Sequence, residues 1–185
     1  MYMASDFHII SSEYISQHKY FSARKDVYET PTGKIVDPYF VVELPTSVCA
    51  MALTKSNHVL FVRQYRHPVG KEALELPGGF IDEHESPEIA IRRELQEETG
   101  YTFHDCHSLG MTAANPGVLN NYTHLFLLTG GEETSLQNLD DNEEIRVEPY
   151  TLEQARMMLE DGEIIQSMHA LCMYRAFDKL KALQL

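Results

Sequence analysis

The sequence predicts an α/β protein, with a β-rich opening, strands on either side of one short acidic helix, and two helices at the end. Three observations carry this. Short β-branched and aromatic runs bounded by Gly, Pro and Asn recur from residue 8 to residue 64. Ser86-Pro87 and Gly100 bracket a segment with helix start and stop signals. Thr151-Leu152-Glu153-Gln154 has the spacing of a capping box and precedes apolar residues at helical intervals. At 185 residues the chain is long enough for one full domain with a small appendage.

Residues 1–44 read as a β-rich N-terminal subdomain and residues 45–185 as the main domain, with Pro45 at the join. His8 to Ile15 and Lys25 to Tyr28 partly alternate. Thr30-Pro31-Thr32-Gly33-Lys34 reads as a hairpin turn, Ile35-Val36 as the start of the return strand, and Tyr39 to Leu44 as a further run. Tyr14, Tyr20, Phe21, Tyr28, Tyr39 and Phe40 are expected to be mostly core of this small sheet, with one or two free to stack on a nucleobase. Val48 to Leu53 and Val59 to Gln64 are expected strands around a Lys55-Ser56-Asn57 turn. After the acidic helix, Phe103 to Thr112 and His124 to Leu128 are expected strands, and Gly130-Gly131 is expected to open a polar loop reaching Asn142. One helix follows Thr151 as far as Gly162. A second, about Ile165 to Leu183, places Met168, Leu171, Cys172, Met173 and Phe177 as core or subunit contacts.

The chemistry concentrates between Gly78 and Tyr101. On the predicted helix Glu94, Glu97 and Glu98 stand at i, i+3 and i+4, within an arc of about 100°. Like charges at this spacing cost a few tenths of a kcal/mol per pair. A solvated acidic face is the plain reading of such a triplet. A doubly charged cation among the carboxylates is the functional one, and hard oxygen ligands suit Mg²⁺ or Mn²⁺.

The full pattern favours the second reading. It runs Gly79, five residues, Glu85, seven residues, then Arg93-Glu94-Leu95-x-Glu97-Glu98-x-Gly100-Tyr101. This resembles the signature box of the Nudix hydrolases, with Tyr101 where an aliphatic residue is usual. Arg63-Gln64-Tyr65-Arg66-His67-Pro68-Val69-Gly70 followed by Leu74-Glu75-Leu76-Pro77-Gly78-Gly79 is similar to the branch that splits ADP-ribose and nucleoside diphosphate sugars. The resemblance implies a Nudix-type α/β/α sandwich with a mixed β-sheet plus a small N-terminal β-sheet. It implies Glu94, Glu97 and Glu98 as metal ligands together with the Gly78 carbonyl, and Arg93 with Glu85 as an orienting ion pair. It also implies Mg²⁺ as cofactor, with Mn²⁺ able to substitute, and a homodimer in which residues 1–44 make dimer and substrate contacts, Tyr28 among them.

Arg66 then matches an arginine near the diphosphate, an ordinary surface ion pair being its alternative. Glu75 stands open between substrate, metal and buried backbone donors. Pro116, sixteen residues past Gly100, matches a proline associated with ADP-ribose hydrolysis, although Asn120-Asn121 replace an acidic residue of the best-known bacterial version. The run Leu139 to Val147 resembles the late acidic loop of these enzymes. There Asp141 falls on the carboxylate that positions or deprotonates the attacking water, and Glu143 on a further metal ligand. For both, a solvated acidic loop is the alternative, and Glu144 is the weaker neighbour.

Composition narrows the function. A net charge of −13 speaks against a nucleic-acid surface. No apolar run is long enough to span a membrane, and the first 21 residues lack the pattern of a secretory signal. Cys49, Cys106 and Cys172 match no disulfide or zinc spacing, so a reducing, cytoplasmic setting is expected. The expected reaction is metal-dependent hydrolysis of a nucleoside diphosphate sugar, ADP-ribose to AMP and ribose 5-phosphate. Its rivals are GDP-mannose or a coenzyme A derivative as substrate, an RNA-end pyrophosphohydrolase, and a non-catalytic nucleotide-sugar sensor.

Overall fold

A computed structural model of the protein describes residues 6–140 and 143–184. The chain divides into two compact units. One is the chain up to Pro45 together with Ala113–Asn121, and the other is Thr46–Thr112 with Tyr122 onward.

The first unit is an antiparallel sheet of β1 (His8–His18), β2 (Phe21–Glu29) and β3 (Ile35–Glu43), in that order. Gly33 N–H donates to Thr30 O and closes the β2–β3 turn. The loop around Pro116 is bonded to β3. Val42 N–H donates to Val118 O, Asn120 N–H to Val42 O, and the Tyr39 hydroxyl to Gly117 O at 2.7 Å.

The expectation that most aromatics of this sheet are core is not met. Tyr14, Tyr20, Phe21 and Phe40 are each about half exposed, while Tyr28 and Tyr39 are half-buried edge to face at 5.8 Å. Among the described residues of this unit only Asp26 is buried, gripped by Arg24, which also pairs with Glu43. The reason is geometric. One sheet has two faces, and among the described residues of this unit there is no second layer to cover either.

The second unit has a seven-stranded mixed sheet of β4 (Ser47–Thr54), β5 (His58–Arg66), β6 (Lys71–Glu75), β7 (Tyr101–Thr102), β8 (Asp105–Thr112), β9 (Thr123–Glu133) and β10 (Arg146–Thr151). The order is β10-β5-β4-β9-β7, with β6 also on β5 and β8 also on β9. Only β4 and β9 pair in parallel. Its helices are α1 (Pro87–Thr99), α2 (Leu152–Glu160) and α3 (Ser167–Leu183).

Strand alternation sorts the core into two layers. Val48, Ala50 and Ala52 of β4 face Ala90, Ile91 and Leu95 of α1. Cys49, Met51 and Leu53 face Ala155, Met158 and Leu159 of α2 and Cys172, Met173 and Phe177 of α3. This is the expected α/β/α sandwich. Among the described residues no helix is long and apolar enough to cross a membrane.

Two expected boundaries move. The run Phe103 to Thr112 shortens to β8, which starts at Asp105, and a separate two-residue strand, β7, precedes it at Tyr101–Thr102. Strand β9 does not end at Leu128 but continues through Gly130-Gly131 to Glu133. A side chain at Gly131 would strike the Phe103 ring, so the glycine serves close packing inside a strand instead of opening a loop. The strand β6 carries no alternation, and the 3₁₀ turn at His67–Val69 has a proline in its first positions and Gly70 as a left-handed cap but no side-chain cap bond.

Candidate active site

The site begins where β6 ends. Leu76 to Gly79 cross the end of β4 with their backbone held at both sides. Ala50 N–H donates to Pro77 O at 3.1 Å, and Val48 N–H to Gly79 O at 2.8 Å. A Cβ on Gly78 would lie 2.2 Å from Val48 O, and one on Gly79 would lie 2.4 Å from a Glu94 carboxylate oxygen. The paired glycines are therefore what lets this loop touch both β4 and α1.

Ser86 Oγ accepts from Ile89 N–H at the start of α1, and Gly100 ends it. The helix turns its three site glutamates into different surroundings. The Glu98 side chain is buried and accepts Gly78 N–H at 2.9 Å. That of Glu94 is 13% exposed and that of Glu97 is 37% exposed.

Arg93 lies among them. Its guanidinium donates to both oxygens of Glu85 at 3.0 Å, to Glu94 and Glu97 at 2.9 Å each, and to Phe80 O at 3.0 Å. Arg66, at the end of β5, makes a two-pronged pair with Glu75 at 2.9 and 2.6 Å. Glu75 is 3% exposed and is held by Arg66 and by Gln64 at 3.5 Å. The partner seen in the structure is none of the three left open for Glu75 by the sequence: it is the guanidinium of Arg66.

Positive charge is scarce here. Six carboxylates, those of Glu75, Glu85, Glu94, Glu97, Glu98 and Glu143, draw on the guanidinium groups of Arg66 and Arg93, with Asp82 at the rim. The Arg93 bonds hold the Glu85 carboxyl below the usual range. Burial pushes Glu94 up to about 7 against the pull of Arg93, and Glu97 and Glu143 add to the rise. Burial drives Glu98 well above the carboxylate range, with Glu94 and Glu143 adding and Gly78 N–H opposing.

Hard oxygen donors with too little positive charge fit a divalent cation, which would favour the ionised form of each. Among the described residues no three acidic, His or Cys side chains form a ready-made metal cluster. Arg93 occupies part of the expected arc instead.

The sites expected along the sequence therefore distribute as follows. Arg66, Glu75, Gly78, Glu85, Arg93, Glu94, Glu97, Glu98 and Glu143 all belong to the second unit, and electrostatic coupling links Glu143 to Glu94, Glu98 and Arg66. Glu143 also accepts Asp140 N–H at 3.2 Å. Tyr28 and Pro116 belong to the first unit. Asp141 lies outside the described residues.

Two residues escaped the sequence reading. Gln137 Nε2 donates to Glu98 O at 2.6 Å and to Ile145 O at 3.3 Å, tying the end of α1 to the chain just past Glu143. His169, on α3, accepts Leu76 N–H on Nδ1 at 3.1 Å. Burial and the nearby Arg66 push its pKa down to about 3, so the ring is neutral. Both serve distant backbone groups, and nothing in local sequence marks such a partner.

Comparison with known proteins agrees with this geometry. Residues 43–168 match the NUDIX domain, and residues 7–42 match the nucleoside diphosphate sugar hydrolase N-terminal domain. An ADP-ribose pyrophosphatase of Bacillus subtilis (strain 168) is 31% identical over 165 residues, covering 87% of each chain. A methanol dehydrogenase activator of Bacillus methanolicus is 30% identical over 159 residues, covering 85% of each. A crystal structure of an ADP compounds hydrolase superposes with a TM-score of 0.82 at 21% identity, covering 96% of this chain and 95% of that one. With a matching domain over most of its length and the motif carboxylates gathered around one loop, the chain belongs to the Nudix hydrolase family.

Proposed function

We propose that the protein hydrolyses the pyrophosphate bond of a nucleoside diphosphate sugar, with ADP-ribose going to AMP and ribose 5-phosphate. The observation that carries this reading is the crowding of carboxyl groups at α1, where Glu94 beside Arg93 and Glu98 beside the Gly78 N–H are both held above the carboxylate range by burial and by neighbouring carboxylates. Such crowding is costly for stability alone and is useful where cations and phosphates meet. Sequence similarity does not choose the activity by itself, because the relatives named as a pyrophosphatase and as a dehydrogenase activator are equally close. The pyrophosphatase name is the one that gives these carboxylates a task.

In this proposal Glu94, Glu97, Glu98, Glu143 and the Gly78 carbonyl would hold Mg²⁺, or Mn²⁺ in its place. Such an ion supplies neutralisation of diphosphate oxygens and acidification of a water. Gly78 N–H keeps Glu98 in place, and Arg93 keeps Glu85, Glu94 and Glu97 in register between loop and helix. Glu75 holds the Arg66 guanidinium by one edge, and charge building on the phosphate oxygens is met by this group. Asp141 orients the attacking water and takes its proton as the oxygen bonds to phosphorus, while the bridging P–O bond breaks toward the other phosphate. Tyr28 and Pro116 are assigned to substrate contacts.

The proposed form is a cytoplasmic homodimer. The half-exposed Ile9, Ile10, Tyr14, Ile15, Phe21 and Phe40 of the first unit's sheet support the pairing. The three free cysteines support a reducing compartment.

The test is a turnover screen with and without divalent metal across ADP-ribose, GDP-mannose, other nucleoside diphosphate sugars, coenzyme A and capped RNA. AMP and ribose 5-phosphate released only with metal are the expected result. Tight binding of ADP-ribose without turnover in either Mg²⁺ or Mn²⁺ would replace the hydrolase by a sensor. Faster turnover of GDP-mannose or coenzyme A would move the substrate within the family.

A further inference from the structure

The loop at Leu76 to Gly79 is bonded to β4 and α1 through its own backbone, but one of its bonds comes from a side chain on a helix of the opposite layer. His169 is the third residue of α3 and is 6% exposed. Its Nδ1 accepts the N–H of Leu76, itself 1% exposed, at 3.1 Å and across 93 positions of sequence.

Leu76 is the first residue beyond the β5–β6 ladder, whose last pair is Val62 with Glu75. Its N–H is therefore a buried donor that the sheet pairing no longer serves. The position matters because of what flanks it. One residue before is Glu75, whose carboxylate orients Arg66. Two residues after is Gly78, whose N–H holds Glu98. A slip of the backbone at Leu76 would displace both.

We propose that His169 is a positioning residue for the reaction: its neutral ring, with the proton on Nε2, fixes the Leu76 amide and so sets the spacing between the Arg66–Glu75 pair and the Gly78–Glu98 contact. An imidazole does this where a hydroxyl would not reach as far, and it does so without placing another charge beside Arg66. Because α3 packs on β4 through Cys172 and Met173, the bond also ties the loop to the rigid core of the sandwich. The inference rests on the hydrolase reading for what the loop serves, and on the observed bond alone for the fixing of the loop.

The experiment compares wild type with His169→Leu, which keeps bulk and loses the acceptor, and His169→Asn, whose side-chain oxygen sits close to where Nδ1 was. In the metal-free protein, NMR reads the imidazole tautomer of wild type and the amide exchange of Leu76 and Gly78. The expected results are the Nε2–H tautomer in wild type and, in His169→Leu, exchange at Leu76 and Gly78 at least about tenfold faster while β4 amides are unchanged. With Mg²⁺ and ADP-ribose, kcat falls about tenfold in His169→Leu with KM within about twofold, and His169→Asn recovers most of both losses.

A wild-type ring protonated on Nδ1 overturns the proposal, as does unchanged exchange in His169→Leu or an Asn variant no better than Leu. Should His169→Leu not fold, the wild-type tautomer and the exchange in His169→Asn decide. If the tautomer and exchange are as expected but wild type turns over no substrate, the hydrolase reading fails while the anchoring of the loop stands.

Discussion

The inner flank of α1 and the outer edge of the large sheet use the same side chains in opposite ways. At the edge, Arg63 on β5 donates to Glu148 on β10 at 2.6 and 3.0 Å, and the Tyr150 hydroxyl donates to the same carboxylate at 2.7 Å. One acid meets one guanidinium and one hydroxyl, and Arg63 holds the Glu148 carboxyl below its usual range. At α1, burial leaves Glu94 and Glu98 above that range although Arg93 and Gly78 N–H reach them. A carboxylate satisfied within the chain ends up more acidic than in water, and one that is short of partners ends up less acidic. The edge is a finished structural pair. The flank has negative charge to spare, and that is the property of a place where something positive binds.

The contrast breaks most directly at Glu98. Glu98→Gln keeps an acceptor for Gly78 N–H but removes the charge. It is expected to lower kcat for ADP-ribose about 10²–10³-fold at saturating Mg²⁺, roughly 3–4 kcal/mol of barrier, with little loss of folding stability. Steady-state kinetics beside a thermal melt check both halves. A rate within a few-fold of wild type would mean that the buried glutamate carries no catalytic load.

Acidity sharpens the same contrast without mutation. In metal-free protein Glu94 keeps its proton up to about pH 7, whereas an unfolded glutamate loses it near 4.5. Between these values the folded state binds more protons than the unfolded state. The contribution is present below about 4.5 and is lost as pH rises through about 7. Glu98 shifts in the same direction, and the lowered acids Glu85 and Glu148 are already ionised in this window. His169, lowered from 6.5 to about 3, works in the opposite sense over the same range, so the share of Glu94 is read by difference. In chelator the urea midpoint of wild type should fall relative to that of Glu94→Gln from about pH 5 to about pH 7.5, by an amount on the order of 2–3 kcal/mol. Saturating Mn²⁺ should reverse the loss and bind more tightly as pH rises, because its ligands must be deprotonated. A wild-type midpoint that does not fall relative to Glu94→Gln over this range would contradict the raised glutamate.

How much of this was legible beforehand follows the range of each interaction. Helix α1 was readable almost to the residue because Ser86, Pro87 and Gly100 are local signals, and the capping box of α2 was readable for the same reason. The strands of the first unit were legible from their alternation, but their burial was not, since it depends on what lies opposite each face. Strand β9 was cut short because Gly130-Gly131 looks like a loop until Phe103 is placed beside it. The box residues were found as a pattern. That Arg93 would bridge Glu94 and Glu97 as well as Glu85 was not, because spacing shows which residues share a face and not which of them bond. Gln137 and His169 act on backbone groups 39 and 93 positions away, and no motif announces such bonds.

The smallest expected effect belongs to the edge, and it is what makes the larger ones interpretable. Glu148→Gln removes a charge from a carboxylate as closely bonded as any at α1, yet from a pair whose side chains are each about a quarter exposed. Solvent screening and the remaining amide oxygen, which still accepts from Arg63 or Tyr150, limit the cost to about 0.5–1 kcal/mol, measured as a urea midpoint shift at unchanged slope. Turnover of ADP-ribose should stay within about twofold, because this pair has all the positive charge it needs and lends none to the flank of α1. A tenfold loss of rate would show that the edge and the flank are one coupled network. Glu98→Gln would then measure that network, and the division between finished and unfinished charge pairs would dissolve.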